Sequence, residues 1–213
     1  MAFHIPIEGH DITIDGKDIC LSIVGVKAFN LDNLGGTKSN YQNFKLGVGY
    51  NVKVCTNYCL FGTDVQSGIK VKSLEQLDES IDEIIEGVEV GGYDELLKEL
   101  TKCNLTQTQF ATLLGKLHIY NCLPNDSKQN IGKSTFTESH INIIANNYLS
   151  NEAFKKYDDG SVSLWNLYNH FTEAVKNSYI NDFVDRNVNC YDLVDGLANA
   201  VKGEQNEYTW FLN

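Results

Sequence analysis

The stretch Phe44-Lys45-Leu46-Gly47-Val48-Gly49-Tyr50-Asn51-Val52-Lys53-Val54 puts a large apolar side chain at every second position, with Lys, Gly or Asn between. A repeat of two is that of an extended strand whose successive side chains face opposite ways, so this segment is a strand with one buried face. Toward the N-terminus, Ile19 to Phe29 is apolar and β-branched enough for a second strand, and Ile12 to Ile14 reads as its hairpin partner across Asp15-Gly16. In the other direction Ile69 to Lys72 makes a short fourth strand, and Gly35 to Asn40 a loop.

Beyond Ser73 the repeat becomes helical. Leu74, Leu77, Ile81, Ile84, Ile85 and Val88 form one apolar stripe and Tyr93, Leu96, Leu97 and Leu100 another, separated by Gly91-Gly92. Thr106-Gln107-Thr108-Gln109 is a capping box that opens a helix with the stripe Phe110, Leu113, Leu114, Leu117, which must end by Pro124. Further helices carry Ile141, Ile144, Ala145, Tyr148; then Leu164, Leu167, Tyr168, Phe171, Val175; then a run from Ile180 with a restart at Asn189, through Tyr191, Val194, Ala198 and Val201 to Gly203. Strands first and helices after define an α+β class, antiparallel strands over about 10–72 and helices over about 74–203, rather than alternating βαβ units. The tail Tyr208-Thr209-Trp210-Phe211-Leu212-Asn213 is aromatic enough to dock back on the body as a strand or extended segment. With 213 residues and no linker-like stretch, the chain is expected to form one domain, 1–213, with a β-rich layer 1–73 and a helical layer 74–213.

The charge is unevenly placed. The formal net charge is −11, and ten of the 28 acids are Glu75, Asp78, Glu79, Asp82, Glu83, Glu86, Glu89, Asp94, Glu95 and Glu99, with Lys98 as their only basic company. Arg186 is the only arginine, which disfavours direct binding to a nucleic-acid backbone and points to a basic protein surface instead. Solubility alone is normally served by mixed signs. No signal-like N-terminus and no run of roughly 18 apolar residues is present, so no membrane association and a cytoplasmic location are expected. The six cysteines, Cys20, Cys55, Cys59, Cys103, Cys122 and Cys190, then read as reduced and mostly buried.

Several motifs lead to bland readings. Ile131-Gly132-Lys133-Ser134-Thr135 looks like the end of a phosphate-binding loop, but Ser127 stands where the first glycine belongs and no strand precedes it. Cys55/Cys59 and His118/Cys122 offer thiolate and imidazole, yet neither pair has the two-residue spacing of a zinc knuckle. Acid/base candidates are His118, His140 near Glu138, His170 with Glu173, and the Asp182/Asp185/Arg186 cluster, without a serine elbow or a paired-histidine metal motif around them. Asp182, Asp185, Arg186 and Asn189 read as a structural network at a helix junction. No catalytic residue, cofactor or metal is assigned.

The blocks Val54-Cys55-Thr56-Asn57-Tyr58-Cys59, Leu113-Leu114-Gly115-Lys116, Leu164-Trp165-Asn166-Leu167-Tyr168-Asn169-His170-Phe171-Thr172, Asp185-Arg186-Asn187-Val188-Asn189 and Trp210-Phe211-Leu212-Asn213 resemble an uncharacterised family of proteins carried by bacterial conjugative and phage-like elements. More distantly the chain is similar to the larger phage/plasmid-like group of unknown function. The resemblance runs from about Ile19 to Asn213 and implies that an N-terminal segment of longer members is missing here. It supplies no activity. What it implies is a setting in which small acidic proteins inhibit host defence nucleases, whose channels are lined with Lys and Arg.

The expected function is therefore that of a non-enzymatic acidic protein that binds and modulates, by inhibition rather than assistance as the leading reading, a basic host nucleic-acid-handling protein, such as an RNA-guided CRISPR-type defence effector, through the face from Glu75 to Glu99. The alternative is a nucleic-acid-binding accessory protein of plasmid or phage replication or transfer, using the strand face of Lys45, Gly47, Gly49, Asn51 and Lys53. A third class is an enzyme acting at His170, Glu173 or His140.

Overall fold

The computed structural model describes residues 2–27, 42–52, 57–60, 66–71, 74–87, 93–150, 154 and 156–213. Its contacts group into two compact units, Met1–Gly91 with Ser178–Val188, and Gly92–Asn177 with Asn189–Asn213. The fold class is α+β, antiparallel strands first and helices after. The division into units falls at the Gly91-Gly92 pair and again inside the last helix, whereas the layers drawn from sequence divide at residue 73.

In the first unit, β1 (Ala2–Ile14), β2 (Lys17–Lys27) and β3 (Gln42–Val52) are neighbours in a five-stranded antiparallel sheet. The short strands β4 (Asn57–Leu60) and β5 (Gln66–Val71) both pair with β3. Asp15 and Gly16 have φ of 50° and 71°, the left-handed pair that a tight hairpin between right-twisted strands requires. The edge strand starts earlier than its apolar pattern shows. Its register shifts between Pro6 and Asp11, so the proline sits beside a bulge on an edge, where the missing N–H costs least.

Register assigns the two faces of the sheet. Ile19, Leu21 and Ile23 share one face with Leu46, Val48 and Tyr50, all buried, as the alternation of residues 44–54 implies. On the opposite face Val24 pairs with Gly47, Ser22 with Gly49 and Cys20 with Asn51. That face is not open. Gly47, Gly49 and Asn51 are buried, and Val24 packs with Val184, Phe183 and Val188 from the start of the last helix. Three residues of the strand surface expected to receive nucleic acid, Gly47, Gly49 and Asn51, are thus buried; the Lys45 side chain, Lys53 and the Gly35 to Asn40 loop lie outside what is described.

Phe3 pairs with Gly25, and its ring fills the space over that glycine. A Cβ there would stand 1.9 Å from the ring's ζ carbon. Gly25→Val is expected to cost about 1–3 kcal/mol by overpacking, seen as a lower denaturant midpoint and faster exchange of β1 amides. The first unit also holds α1 (Leu74–Gly87), which buries Leu77 and Ile81.

In the second unit, α2 (Tyr93–Leu100) buries Leu97 and Leu100; β6 (Asn104–Leu105), just before α3 (Gln107–Cys122), pairs with β7 (Val162–Ser163), which comes after that helix in the chain. Thr106 opens α3 with a reciprocal capping box to Gln109, and the helix stops before Pro124, both as the sequence reads. Next come α4 (Glu138–Ser150) and α5 (Leu164–Val175). Phe110, Leu113, Leu117, Ile141, Ile144, Leu164, Trp165, Leu167 and Phe171 form the buried interior with Leu193, Val194 and Leu197.

The last helix, α6 (Ile180–Val201), is continuous, without the restart expected at Asn189. Asparagine interrupts helices by competing for local backbone groups. Here the Asn187 amide donates to the Phe183 carbonyl at 2.8 Å, one turn back, and Asn189 is bonded to residues 133 and 135, far away in sequence. The Asn187 bond adds a second donor to a carbonyl of the α6 ladder, and these Asn189 bonds leave that ladder alone. The tail docks, with Phe211 fully buried, but as a 3-10 turn Thr209–Leu212 rather than an extended strand. Among the described residues no helix is long and apolar enough to cross a membrane. Cys20, Cys103 and Cys190 are buried free thiols, and Cys122 is exposed.

Candidate functional site

The acidic run divides between the units. Glu75, Asp78, Glu79, Asp82, Glu83 and Glu86 lie on α1 and are all exposed; Asp94, Glu95 and Glu99 lie on α2 of the second unit; Glu89 is outside the described residues. On α1 the acids recur three and four residues apart, as in Glu75/Glu79, Asp78/Asp82, Glu79/Glu83 and Asp82/Glu86, and the helix contains no base. Neighbours at that spacing repel, and Glu86 also stands at the helix C-terminus, where the dipole disfavours an anion. Ile85, expected in the buried stripe, is 40% exposed, next to Glu86 and three residues after Asp82 in sequence. Glu99 differs. Its carboxylate is bridged to Lys202 at 2.5 Å, and that bond holds its pKa below the ordinary value.

A second anionic feature is an open hollow of about 510 Å³ in the second unit, lined by Asp192, Asp195, Gly196 and Asn199 of α6 and by Asn206, Glu207 and Tyr208 beyond it. Local chemistry builds it. Asn206 donates to the Gly196 carbonyl at 2.9 Å, while its side-chain oxygen accepts from the Tyr208 and Thr209 amides at 2.8 and 3.2 Å. The Gly132 amide donates to the Glu207 carbonyl at 2.9 Å. Burial raises the Asp192 pKa, and Asp195 and Glu207 push it the same way against Lys133. Burial likewise raises Asp195, opposed by Lys202 and reinforced by Glu204. The Tyr208 hydroxyl is driven upward by burial first and by Asp192 and Glu207 next.

A carboxyl whose folded-state pKa is raised stabilises the fold fully below its unfolded value of about 3.9 and loses that contribution as pH rises through the folded value. Ionised Asp192 is therefore a net cost at neutral pH. Asp192→Asn is expected to add about 0.5–1 kcal/mol at pH 7, a figure discounted for solvent screening of a half-exposed group. Melting curves of the two proteins should converge near pH 3. A gain that persists there would place its origin outside the carboxylate's charge.

The remaining sequence-predicted residues lie on α3, α4, α5 and α6, with the look-alike phosphate loop ahead of α4. Arg186 pairs with Asp182 at 3.5 Å along the first-unit part of α6. In the second unit the Asn189 Oδ1 accepts from the Thr135 amide at 2.8 Å and hydroxyl at 3.0 Å, and its amide donates to the Lys133 carbonyl at 2.8 Å. The look-alike phosphate loop thus has its Gly132 and Thr135 N–H groups already engaged, the groups a phosphate cradle would need. His140 caps α4: its Nδ1 accepts from the Thr137 amide at 3.2 Å. His170 is buried and stacked on Phe154 with ring centroids 3.9 Å apart, and Glu173 is held by Lys176 at 2.6 Å. His118 is half-buried on α3.

One pair was invisible in the sequence. His4 Nε2 lies 2.9 Å from Ser22 Oγ across β1 and β2, the spacing of a serine–histidine dyad. Ser22 is fully buried, and its hydroxyl also lies 3.2 Å from the Cys20 carbonyl, to which it can donate, and 3.5 Å from the Cys20 Sγ. Among the described residues no group of three or more His, Cys, Asp or Glu side chains is arranged to hold a metal ion, and Cys55 lies outside them.

Fold and surface chemistry define an α+β protein whose accessible features, an arginine-free acidic helix and a carboxylate-lined hollow, are both suited to cations. The chain belongs to the family described as a domain of unknown function, B. Theta Gene description (DUF3871), whose model matches residues 1–212. No curated protein and no solved structure matches it.

Proposed function

We propose that this protein is a non-enzymatic binder of a basic protein surface, and that α1 makes the contact. The observation that carries the reading is the like-charge ladder of α1, six exposed carboxylates without a base on the same helix. That pattern works against the helix it sits on, whereas on α2 Glu99 has found Lys202. Exposed Ile85 supplies an apolar anchor beside the charges, the arrangement of a hot spot inside a polar rim. The partner's chemistry is a Lys- and Arg-lined groove of the kind that nucleic-acid-handling proteins present. An RNA-guided defence effector as that partner, and inhibition as the outcome, rest on the mobile-element resemblance. The burial of Gly47, Gly49 and Asn51 favours this reading over direct nucleic-acid binding by that strand face.

The test is capture from a host lysate with and without nuclease, read by mass spectrometry. Retention of a basic protein after nuclease treatment supports direct protein binding. Capture that depends on intact nucleic acid would overturn it.

A further inference from the structure

We propose that residues 206–213 are a strap that opens and closes on the second unit as one piece, with the Tyr208 ring as its catch. The ring occupies a slot between two glycines. A Cβ on Gly196 of α6 would stand 2.1 Å from the ring, and one on Gly132 2.4 Å from it, so each glycine's missing side chain is space that Tyr208 fills. The strap is pre-shaped by its own bonds: the Asn206 side chain accepts the Tyr208 and Thr209 amides, the Asn206 amide donates to the Thr209 hydroxyl, and the Phe211 amide donates to the Tyr208 carbonyl. Its outward contacts fall on α3, on Gly196 of α6 and on the Gly132 loop. Phe211 is buried with its ring centroid 5.8 Å from that of Tyr120, Lys116 Nζ lies 4.4 Å from the Trp210 ring centre, and the Glu207 carbonyl takes the Gly132 amide.

Residues 202–205, which join α6 to the strap, are all exposed, and Gly203 has φ of +94°, the left-handed conformation that ends the helix and turns the chain. One fully buried and several half-buried side chains must therefore hold eight residues in order across an exposed hinge, the balance expected of a segment that opens ahead of the rest. The strap has a consequence beyond itself. Asn206, Glu207 and Tyr208 form one wall of the carboxylate-lined hollow, so the hollow exists only when the strap is closed.

Native-state hydrogen exchange on the full chain tests this. Amides of 206–213 are expected to exchange at least tenfold faster than those of α5. Gly196→Ala adds a methyl that the helix itself favours but the Tyr208 ring cannot accommodate, and is expected to speed strap exchange at least a further tenfold while α3 and α5 keep their protection. Tyr208→Ala, which removes the catch without a clash, should give the same pattern, and both should shift Trp210 emission to the red. Strap amides as protected as those of α5 in the native protein, unchanged strap exchange in both variants, or loss of protection in α3 and α5 together with the strap would each overturn the proposal.

Discussion

Replacing Glu79, Asp82, Glu83 and Glu86 of α1 with lysine is expected to slow association with the basic partner by roughly ten- to a thousand-fold at low salt, and to remove the loss of affinity that salt causes in the native protein. The effect belongs in the on-rate, because exposed charges act mainly by steering encounter and are screened beyond about 8–10 Å at physiological salt. Folding and binding should respond in opposite directions to a milder change. Glutamine and asparagine at the same four positions remove like-charge neighbours worth about 0.2–0.5 kcal/mol per pair, so that variant should melt higher while binding more slowly. Stopped-flow association against salt, beside thermal melts, checks both. If the neutral variant neither gains stability nor loses association rate, the carboxylates are an inert solvated face and the proposed surface fails.

What could be read from the sequence and what could not follows from how far apart the interacting groups lie. The alternation of residues 44–54 and the Thr106 to Gln109 box are local signals, and local physics decides them. Asn189 looked like a helix start because asparagine is a good N-cap. Its actual partners are 54 and 56 residues away, and nothing in the immediate sequence announces them. Gly47 and Gly49 suggested an approachable strand face, but the face is covered by Val184, more than a hundred residues later. The hollow was hidden for the same reason: Asp192 and Asp195 look like ordinary exposed acids three residues apart until the tail brings Glu207 and Tyr208 against them.

Asn189→Ala is expected to destabilise the second unit by about 2–4 kcal/mol, since truncation leaves one buried amide acceptor and donor set without partners rather than merely deleting a bond. Asn189 is 4% exposed, and the Thr135 amide, the Thr135 hydroxyl and the Lys133 carbonyl all turn to it. Asn189→Asp separates the two halves of that interaction. It keeps the acceptor for Thr135 but sets an anion against the Lys133 carbonyl, so it should be damaging as well. Chemical denaturation gives the magnitude, and Trp210 emission gives the reach. The loop that Asn189 fixes also carries Gly132, whose amide holds the Glu207 carbonyl and whose bare Cα faces the Tyr208 ring. Loosening the loop must therefore loosen the C-terminal turn, and the Trp210 signal should move at lower denaturant than the far-UV signal. A variant as stable as the native protein would mean that these three bonds are replaced by water without loss, and that the loop's shape is set by its own residues.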